Sequence, residues 1–511
     1  MSSNGQDTKK RIAKNTLFLY LRMFVTMCVG FFTSRIVLQA LGLSDYGIYN
    51  VMGGVLGMLG YIDALLSGGT SRFLTIALGA GDHKLLKSTF STAAILAIIS
   101  ALIILILGET IGLWFMNYKL NIPIGRLDAA NWVYQFALLS MCLSVIQTPY
   151  SASIISHERM GVYAYMSIYD VVMKLLIVYS LYAFDYDKLK LYASLLFGVS
   201  LTGFIIHQVY CVRKFEECKF RFIFKKELLK EMFVFSGWNM VASFSGILNN
   251  YGINILLNIF FGTIINASRA IALQVSSIVQ QFNFNFQMAS RPQVMKYYAQ
   301  GQIAEMSDMI IANARFCTLM LLCLAIPICF NVEGLLLIWL GQVPAFAPDF
   351  IILVVIQVLI MSLDYPLGFG IHAVGKMKLP NMTTGIINLM IFPISYVALK
   401  FGAGPVASYV IYICVSPLIL ISDLWILHRY IGFDWKRFVF KSIRPVLLIS
   451  LLACIVPMIL KPLIDNHIWY MSLGSAFVSF LYTAIVCYYF GLNKAQRSRM
   501  QTLVIDKIRT I

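Results

Sequence analysis

Uninterrupted apolar segments of about 20 residues recur along the whole chain, separated by short polar loops. A helix of about 20 residues rises about 30 Å, which is the thickness of the hydrocarbon core of a bilayer. None of the segments alternates polar and apolar residues with the period of two that a transmembrane β-strand shows. The pattern therefore predicts an all-α polytopic membrane protein of about fourteen transmembrane helices. The predicted spans are 15–34, 46–71, 89–115, 130–155, 161–183, 190–211, 232–260, 263–289, 309–330, 350–374, 381–399, 405–427, 442–460 and 469–490.

The composition and charge agree with a membrane protein. Of the 511 residues, 59% are hydrophobic and 12% are charged, whereas a soluble domain carries about 25% charged residues. A net charge of +17 would suggest a nucleic-acid partner for a soluble protein. Cytoplasmic loops of membrane proteins also collect Lys and Arg, so we expect no nucleic-acid partner.

The distribution of basic residues predicts the orientation of the chain. With the N-terminus in the cytoplasm, about three quarters of the 40 lysines and arginines fall in cytoplasmic loops, as the positive-inside rule requires. An even number of spans returns the C-terminus to the same side. We therefore predict that both termini are cytoplasmic.

A long basic loop after the sixth span predicts how the chain divides. The predicted parts are an N-terminal lobe of helices 1–6 (1–211), a basic cytoplasmic linker (212–231), a C-terminal lobe of helices 7–12 (232–428), and two additional helices with a basic cytoplasmic tail (429–511). A weak internal repeat favours this division. Gly42 and Gly81 correspond, at a constant offset, to Gly262 and Gly301. Each half contributes an even number of helices, so the two copies would run parallel.

Ionisable residues inside the spans are the first candidates for function. Each costs about 2.5–3.5 kcal/mol to insert, and such residues usually face a bundle interior or a wet cavity. We predict that the cavity cations that bind substrate are Arg22, Arg269 and Lys174, and that the carboxylates that serve in coupling or in ion pairs are Asp63, Asp170 and Asp364. Glu109 and Asp423 lie nearer to span ends. Arg22 is near the cytoplasmic side and Arg269 near the external side, which suits an anionic substrate passing between lobes that open alternately.

Structural interpretations of these residues remain open. Asp170 and Lys174 are four residues apart, and an intrahelical ion pair is the favoured interpretation. Arg22 and Asp63 fit a permanent clamp between neighbouring helices as well as a cavity role. Arg269 has no evident local partner and is the best single candidate for a functional cation.

Uncharged polar residues gather in spans 7 and 8. Asn249, Asn250, Gln281 and Asn283 are candidates either to hold helices together or to bind sugar hydroxyls. No nucleophile, P-loop or metal-ligand motif occurs in the sequence. We expect neither enzymatic activity nor a cofactor or metal.

Two regions of the chain resemble a known family. One runs through KNTLFLYLRMFVTMCVGFFTSRIVLQALGLSDYGIYNVMGGV and SGGTSRFLTIALGAGD, and the other is ASRPQVMKYYAQG (Ala289–Gly301). Both resemble bacterial polysaccharide flippases of the O-antigen and capsule type, which belong to the multidrug/oligosaccharidyl-lipid/polysaccharide exporter (MOP) superfamily. The resemblance extends over the chain in topology and is sharp in residues 11–82 and 262–301.

The resemblance implies two six-helix lobes around a central cavity, plus two C-terminal helices. The implied cargo is an undecaprenyl-pyrophosphate-linked oligosaccharide, moved across the bacterial inner membrane by alternating access for polysaccharide or lipopolysaccharide biosynthesis. The implied partners are membrane lipids and polysaccharide polymerases. The family's cavities are typically cationic, in agreement with Arg22 and Arg269.

Three alternatives remain open. Two belong to the same superfamily: a lipid II-type flippase and a cation-coupled multidrug exporter, although an exporter of cationic drugs should have an acidic cavity. The third is a membrane polymerase or ligase, which usually carries a larger periplasmic loop than Asn331–Asp349.

Overall fold

The fold is taken from a computed structural model. It describes residues 3–60, 70–71, 73–78, 81–157, 159–184, 186–219, 244–288, 290–464, 468–492 and 497, with side chains from residue 28 onward except 285, 286 and 288. The described part is helical and contains no strand. The α-helices are α1 (Ser3–Leu59), α2 (His83–Leu107), α3 (Leu113–Lys119), α4 (Leu127–Ser156), α5 (Met160–Ser180), α6 (Lys188–Lys214), α7 (Ile253–Phe261), α8 (Thr263–Met288), α9 (Arg291–Ala299), α10 (Ile303–Phe330), α11 (Val332–Leu340), α12 (Ala347–Val374), α13 (Lys378–Lys400), α14 (Ala407–Ile431), α15 (Trp435–Phe438), α16 (Arg444–Leu460) and α17 (Trp469–Val486). Short π-helical turns join α2 to α3 (Gly108–Gly112), precede α7 (Leu248–Gly252), join α15 to α16 (Val439–Ile443) and follow α17 (Cys487–Gly491).

Ten helices among the described residues are long and apolar enough to cross a bilayer. Each coincides with one predicted span, so the prediction of an all-α polytopic membrane protein is confirmed. Of the other four predicted spans, 263–289 coincides with α8 and 15–34 lies within α1. The spans 46–71 and 232–260 overlap the end of α1 and most of α7, and each also includes residues that the structure does not describe. Large apolar side chains of α16 stand exposed, including Leu451 at 68% and Met458 at 70%. Such a surface suits contact with lipid rather than water.

The ends of the helices follow from local side-chain and backbone chemistry. Asp82 begins α2 by accepting hydrogen bonds from the backbone N–H groups of Lys84 and Leu85, each at 2.9 Å. Asp187 begins α6 in the same way, and these caps satisfy donors that would otherwise lack partners. Gly432 ends α14 in the left-handed conformation, with φ 68°, which costs glycine little.

The glycines of the predicted repeat share rare backbone conformations. Gly42 breaks α1 at φ 78° and ψ 168°, and Gly262 separates α7 from α8 at φ 82° and ψ −174°. Only glycine adopts this region readily. Gly81 and Gly301 also have positive φ, at 68° and 71°, and each lies two residues before a long helix. The correspondence therefore extends from sequence to backbone geometry.

The chain divides into two compact units, unit 1 (Met1–Ala267) and unit 2 (Ser268–Ile511). One core of unit 1 packs Ile48 and Met52 of α1 against Tyr134 and Leu138 of α4. The core of unit 2 packs Met306 and Ile310 of α10 against helices α12, α14 and α16. The predicted lobe boundaries at 211, 231 and 428 remain a prediction.

Candidate functional site

Arg269 lies in the second turn of α8 and is buried, with 4% of its surface exposed. Its guanidinium lies 5.9 Å from the centre of the Tyr409 ring on α14, a cation–π distance. Its Nε atom has no hydrogen-bond partner, and among the described residues no carboxylate forms an ion pair with it. A buried cation without a counter-charge is costly, so this guanidinium suits an anion that enters from outside the protein.

Arg22 and Asp63 are the predicted site residues of the first two spans. The side chains of Arg22 and Asp63 fall outside the residues that the structure describes. Both the clamp and the cavity role of this pair therefore stay predictions.

Asp170 and Lys174 form the intrahelical ion pair that their spacing indicates. Lys174 Nζ lies 2.7 Å from Asp170 Oδ2, and each side chain is 46% exposed. Both line a cavity of about 540 Å³ within unit 1, between α4, α5 and α6. The ion pair and a place in a cavity wall therefore occur together.

Most other residues that line this unit 1 cavity carry a hydroxyl, amide or imidazole group. His207 on α6 is 8% exposed, and its Nδ1 lies 2.9 Å from the carbonyl oxygen of Gly203. A carbonyl only accepts, so Nδ1 carries the hydrogen, and in the neutral ring Nε2 is an acceptor. His207 could not be selected from the sequence, because a single histidine in an apolar helix has no partner at a recognisable spacing.

Two buried carboxyl groups lie on neighbouring helices of unit 2. Asp364 on α12 and Asp423 on α14 are each 6% exposed, and their charges are close enough to interact. In each, Oδ1 has no hydrogen-bond partner among the described residues. Asp423 was expected near a span end, but α14 continues to Ile431, so it lies two turns inside the helix. The structure therefore adds Asp423 to the predicted Asp364.

The predicted cavity amides differ in exposure. Asn249 and Asn283 are buried, whereas Asn250 and Gln281 are exposed. Asn283 Oδ1 accepts from Gln287 Nε2 at 2.8 Å, which is a contact within α8. Their role in binding stays a prediction.

A second set of asparagines holds the break between α7 and α8. Asn266 Nδ2 donates to the backbone carbonyl of Asn254 at 2.6 Å, and Asn258 Nδ2 donates to Asn266 Oδ1 at 3.1 Å. Asn258 Oδ1 in turn accepts from the backbone N–H of Asn121 at 2.9 Å. Asn254, Asn258 and Asn266 are buried, and buried hydrogen bonds between helices stabilise their packing in a membrane.

An ion-pair cluster joins three segments of unit 1. Arg126, just before α4, binds both Asp45 of α1 and Asp187 at the start of α6. Burial favours the neutral form of Asp187, but hydrogen bonds from Arg126 and from the backbone N–H of Lys190 outweigh it and lower the pKa of Asp187. Burial opposes the charge of Arg126, and the two carboxylates raise its pKa in spite of that.

Several solved structures resemble the chain at low sequence identity. Lipid II flippase MurJ, in an inward closed conformation, matches with a TM-score of 0.66 and 11% identity, covering 93% of this chain and 99% of that chain. An inward-facing multidrug resistance MATE family transporter of the MOP superfamily matches with a TM-score of 0.63 and 13% identity, covering 82% and 98%. The chain has the fold of these two transporters.

The MATE multidrug transporter DinF-BH also matches, with a TM-score of 0.60 and 13% identity over 84% of this chain and 96% of that chain. No family model matches the sequence. No curated protein matches it either. At identities this low the likeness shows the fold alone, and that fold is shared by a lipid II flippase and by multidrug transporters. The fold therefore agrees with the predicted superfamily, while the O-antigen and capsule branch stays a prediction.

Proposed function

We propose that this protein is a flippase of the bacterial inner membrane. Its cargo is an undecaprenyl-pyrophosphate-linked oligosaccharide, a polysaccharide repeat unit, which it moves across the membrane by alternating access. Both termini lie in the cytoplasm. The observation that carries the proposal is the buried guanidinium of Arg269, for which the described part of the chain offers no ion-pair partner.

Arg269 suits a pyrophosphate for two reasons. A guanidinium presents several N–H donors in a rigid fork, which fits a pair of phosphate oxygens better than a lysine ammonium does. The described residues offer no hydrogen-bond partner to the Arg269 Nε atom, so a bound oxygen would satisfy it. A bound anion would also supply the counter-charge that the described residues lack.

The likeness to a solved lipid II flippase over nearly the whole of both chains is compatible with a lipid-linked cargo. In this setting Arg22 and Lys174 would add positive charge along the path of the cargo. Asp63, Asp170 and Asp364 would balance that charge or serve in coupling. Polysaccharide polymerases would act on the cargo after its transport.

Surface polysaccharide in a deletion strain tests the proposal. The strain is complemented with wild type, Arg269→Lys, Arg269→Ala or the control Lys400→Ala, which removes an exposed cation at the end of α13. Arg269→Ala should lower surface polysaccharide about tenfold or more, the factor expected for losing a hydrogen bond to a charged group. The Arg269→Lys strain should have an amount of surface polysaccharide between those of the wild-type and Arg269→Ala strains. Lysine keeps the positive charge but lacks the forked N–H donors of a guanidinium.

Protein in the membrane is measured by immunoblot for each variant. Wild-type polysaccharide in the Arg269→Ala strain, at equal protein level, would contradict the role of Arg269. If deletion of the chain leaves surface polysaccharide unchanged, the flippase proposal itself is wrong.

A cation-coupled multidrug exporter is the second candidate, favoured by the buried Asp364–Asp423 pair. Two carboxyl groups without full hydrogen bonding in a low-dielectric setting can exchange a proton or bind a cation. Drug-susceptibility profiling of the deletion strain separates the candidates. Increased susceptibility that Asp364→Asn fails to complement would favour the exporter. Unchanged susceptibility together with accumulated lipid-linked oligosaccharide would exclude it, and accumulated lipid II would favour a lipid II-type flippase.

A further inference from the structure

The unit 1 cavity is a polar space built into the membrane-spanning part of the chain. Its volume of about 540 Å³ lies within the range of small-molecule sites, about 300–1,000 Å³. Its lining comes from helices α4, α5 and α6, all of unit 1. Polar side chains in membrane-spanning helices raise the free energy of insertion and usually mark functional sites. The chemistry of the lining therefore indicates what the cavity binds.

The serine hydroxyls of the cavity are arranged as acceptors. Ser140, Ser167 and Ser200, one from each helix, donate their hydrogens to backbone carbonyls one turn earlier, at 2.8, 2.9 and 3.1 Å. Tyr169 donates to the hydroxyl of Thr202 at 2.8 Å. These oxygens keep lone pairs that can accept a hydrogen bond. With Nε2 of a neutral His207, they favour a ligand that donates many hydrogen bonds.

The two charged residues of the cavity, Asp170 and Lys174, indicate whether a hydrogen-bond-donating ligand is charged or neutral. Asp170 would attract a cation, but Lys174 lies 2.7 Å from it and compensates its charge. An organic cation therefore gains little. Lys174 has three N–H donors, of which one serves Asp170, so the others can donate to oxygens of a ligand. A neutral molecule whose hydroxyls both donate and accept satisfies both sets of groups.

We propose that the unit 1 cavity binds the carbohydrate part of the cargo, as a site for a neutral, hydroxyl-rich saccharide. The proposal rests on the flippase function proposed above and assigns a contact with the cargo to residues of unit 1. Tyrosines at the wall present an apolar body with a polar tip, which suits the mixed surface of a sugar ring.

Site-specific photo-crosslinking tests this assignment in cells that need the chain for surface polysaccharide. The photoreactive residue p-benzoylphenylalanine replaces Ser200 in the full chain. A matched control replaces Ile205 on the same helix, an apolar residue that is 46% exposed and lies outside the cavity lining. After irradiation the protein is purified and the adducts are identified by mass spectrometry. The Ser200 position should yield saccharide-bearing adducts, and the Ile205 position should yield phospholipid adducts.

A second variant tests the role of the ion pair. The double variant Asp170→Asn, Lys174→Met is made in the chain that carries p-benzoylphenylalanine at position 200. The yield of saccharide adduct should fall about tenfold, the factor expected for losing a hydrogen bond to a charged group. Membrane level and the size-exclusion profile of the purified variant report its folding. An unchanged adduct yield in a folded variant would overturn the assigned role of the ion pair.

The outcomes separate this proposal from the flippase function. Phospholipid adducts alone at Ser200, or equal saccharide adducts at both positions, would overturn the cavity assignment, while surface polysaccharide that still depends on Arg269 would leave the flippase function intact. A saccharide adduct whose mass lacks the pyrophosphate and lipid would support the cavity assignment and contradict the lipid-linked cargo.

Discussion

Exposure distinguishes the predicted cations from one another. Arg269 is 4% exposed and stacks on Tyr409, whereas Lys174 is 46% exposed and has a carboxylate partner. The sequence could predict the second of these facts from the spacing of Asp170 and Lys174, because neighbours on one helix face are fixed by the helical repeat. It could not predict the contact of Arg269 with α14, which depends on tertiary packing.

Asp423 illustrates the same limit. Its distance from the end of its span depends on where α14 ends, and Gly432 sets that end through a left-handed conformation. The predicted end at 427 placed Asp423 close to the membrane interface, whereas the helix continues to Ile431. An error of one helical turn changed the expected environment of a carboxylate.

Arg126 provides a residue-scale prediction about stability and pH. Arg126→Met leaves the carboxylates of Asp45 and Asp187 without their cation, and it should lower the free energy of unfolding by about 1–2 kcal/mol, as for a half-buried bidentate ion pair. The pKa of Asp187 lies below its ordinary value of 3.8. Its contribution is therefore complete above pH 3.8 and is lost as the pH falls through the lowered value.

Thermal unfolding in detergent measures this effect across pH. The midpoint of wild type should fall on acidification below the ordinary aspartate pKa, and Arg126→Met should show a smaller fall. Lys190→Met is the control, because its partner Asp128 is 82% exposed and an exposed pair contributes little. Equal midpoints for wild type and Arg126→Met at neutral pH would contradict a stabilising cluster.

At the scale of elements, the helix breaks at Gly42 and Gly262 carry the internal repeat. Both glycines combine φ near 80° with an extended ψ, a region that a Cβ atom disfavours strongly. The sequence showed the constant offset between them. The predicted spans also leave both glycines between helices, in 35–45 and 261–262. The sequence could not show that the two glycines share one backbone conformation, because hydropathy carries no information on φ and ψ.

Gly262→Ala is the corresponding prediction. Strain at this conformation should lower the free energy of unfolding by about 1–3 kcal/mol. The matched control is Gly198→Ala within α6, where an added Cβ would meet no atom within 4 Å. The control should be neutral or stabilising by up to about 1 kcal/mol, since alanine favours a helix. Thermal midpoints of the two variants are compared, and an unaffected Gly262→Ala would show that the break tolerates a side chain.

The asparagine network around the same break was beyond prediction from the sequence. Asn254, Asn258 and Asn266 pair with one another and with Asn121, which lies more than a hundred residues away. Hydropathy patterns fix which segments cross the bilayer, but they do not fix which amides meet. The ten apolar spans could therefore be predicted closely, and the polar contacts between helices could not.

For the whole molecule, the predicted orientation awaits a topology experiment. Reporter fusions after residue 511 should give fluorescence of a cytoplasmic fluorescent protein and no activity of periplasmic alkaline phosphatase. Fusions after Gly125, in a predicted external loop, should give the reverse. This follows from the concentration of Lys and Arg on one side. Phosphatase activity at the C-terminus would contradict the predicted topology.

The proposed cargo is an anionic lipid-linked oligosaccharide that contacts Arg269 during transport. The most direct measurement is the fraction of undecaprenyl-pyrophosphate-linked oligosaccharide in the periplasmic leaflet, assayed with a membrane-impermeant glycosidase on spheroplasts. The deletion strain complemented with Arg269→Ala should retain this lipid in the cytoplasmic leaflet, and Lys400→Ala should restore the wild-type distribution. A wild-type distribution in both the deletion strain and the Arg269→Ala strain would contradict the proposed function.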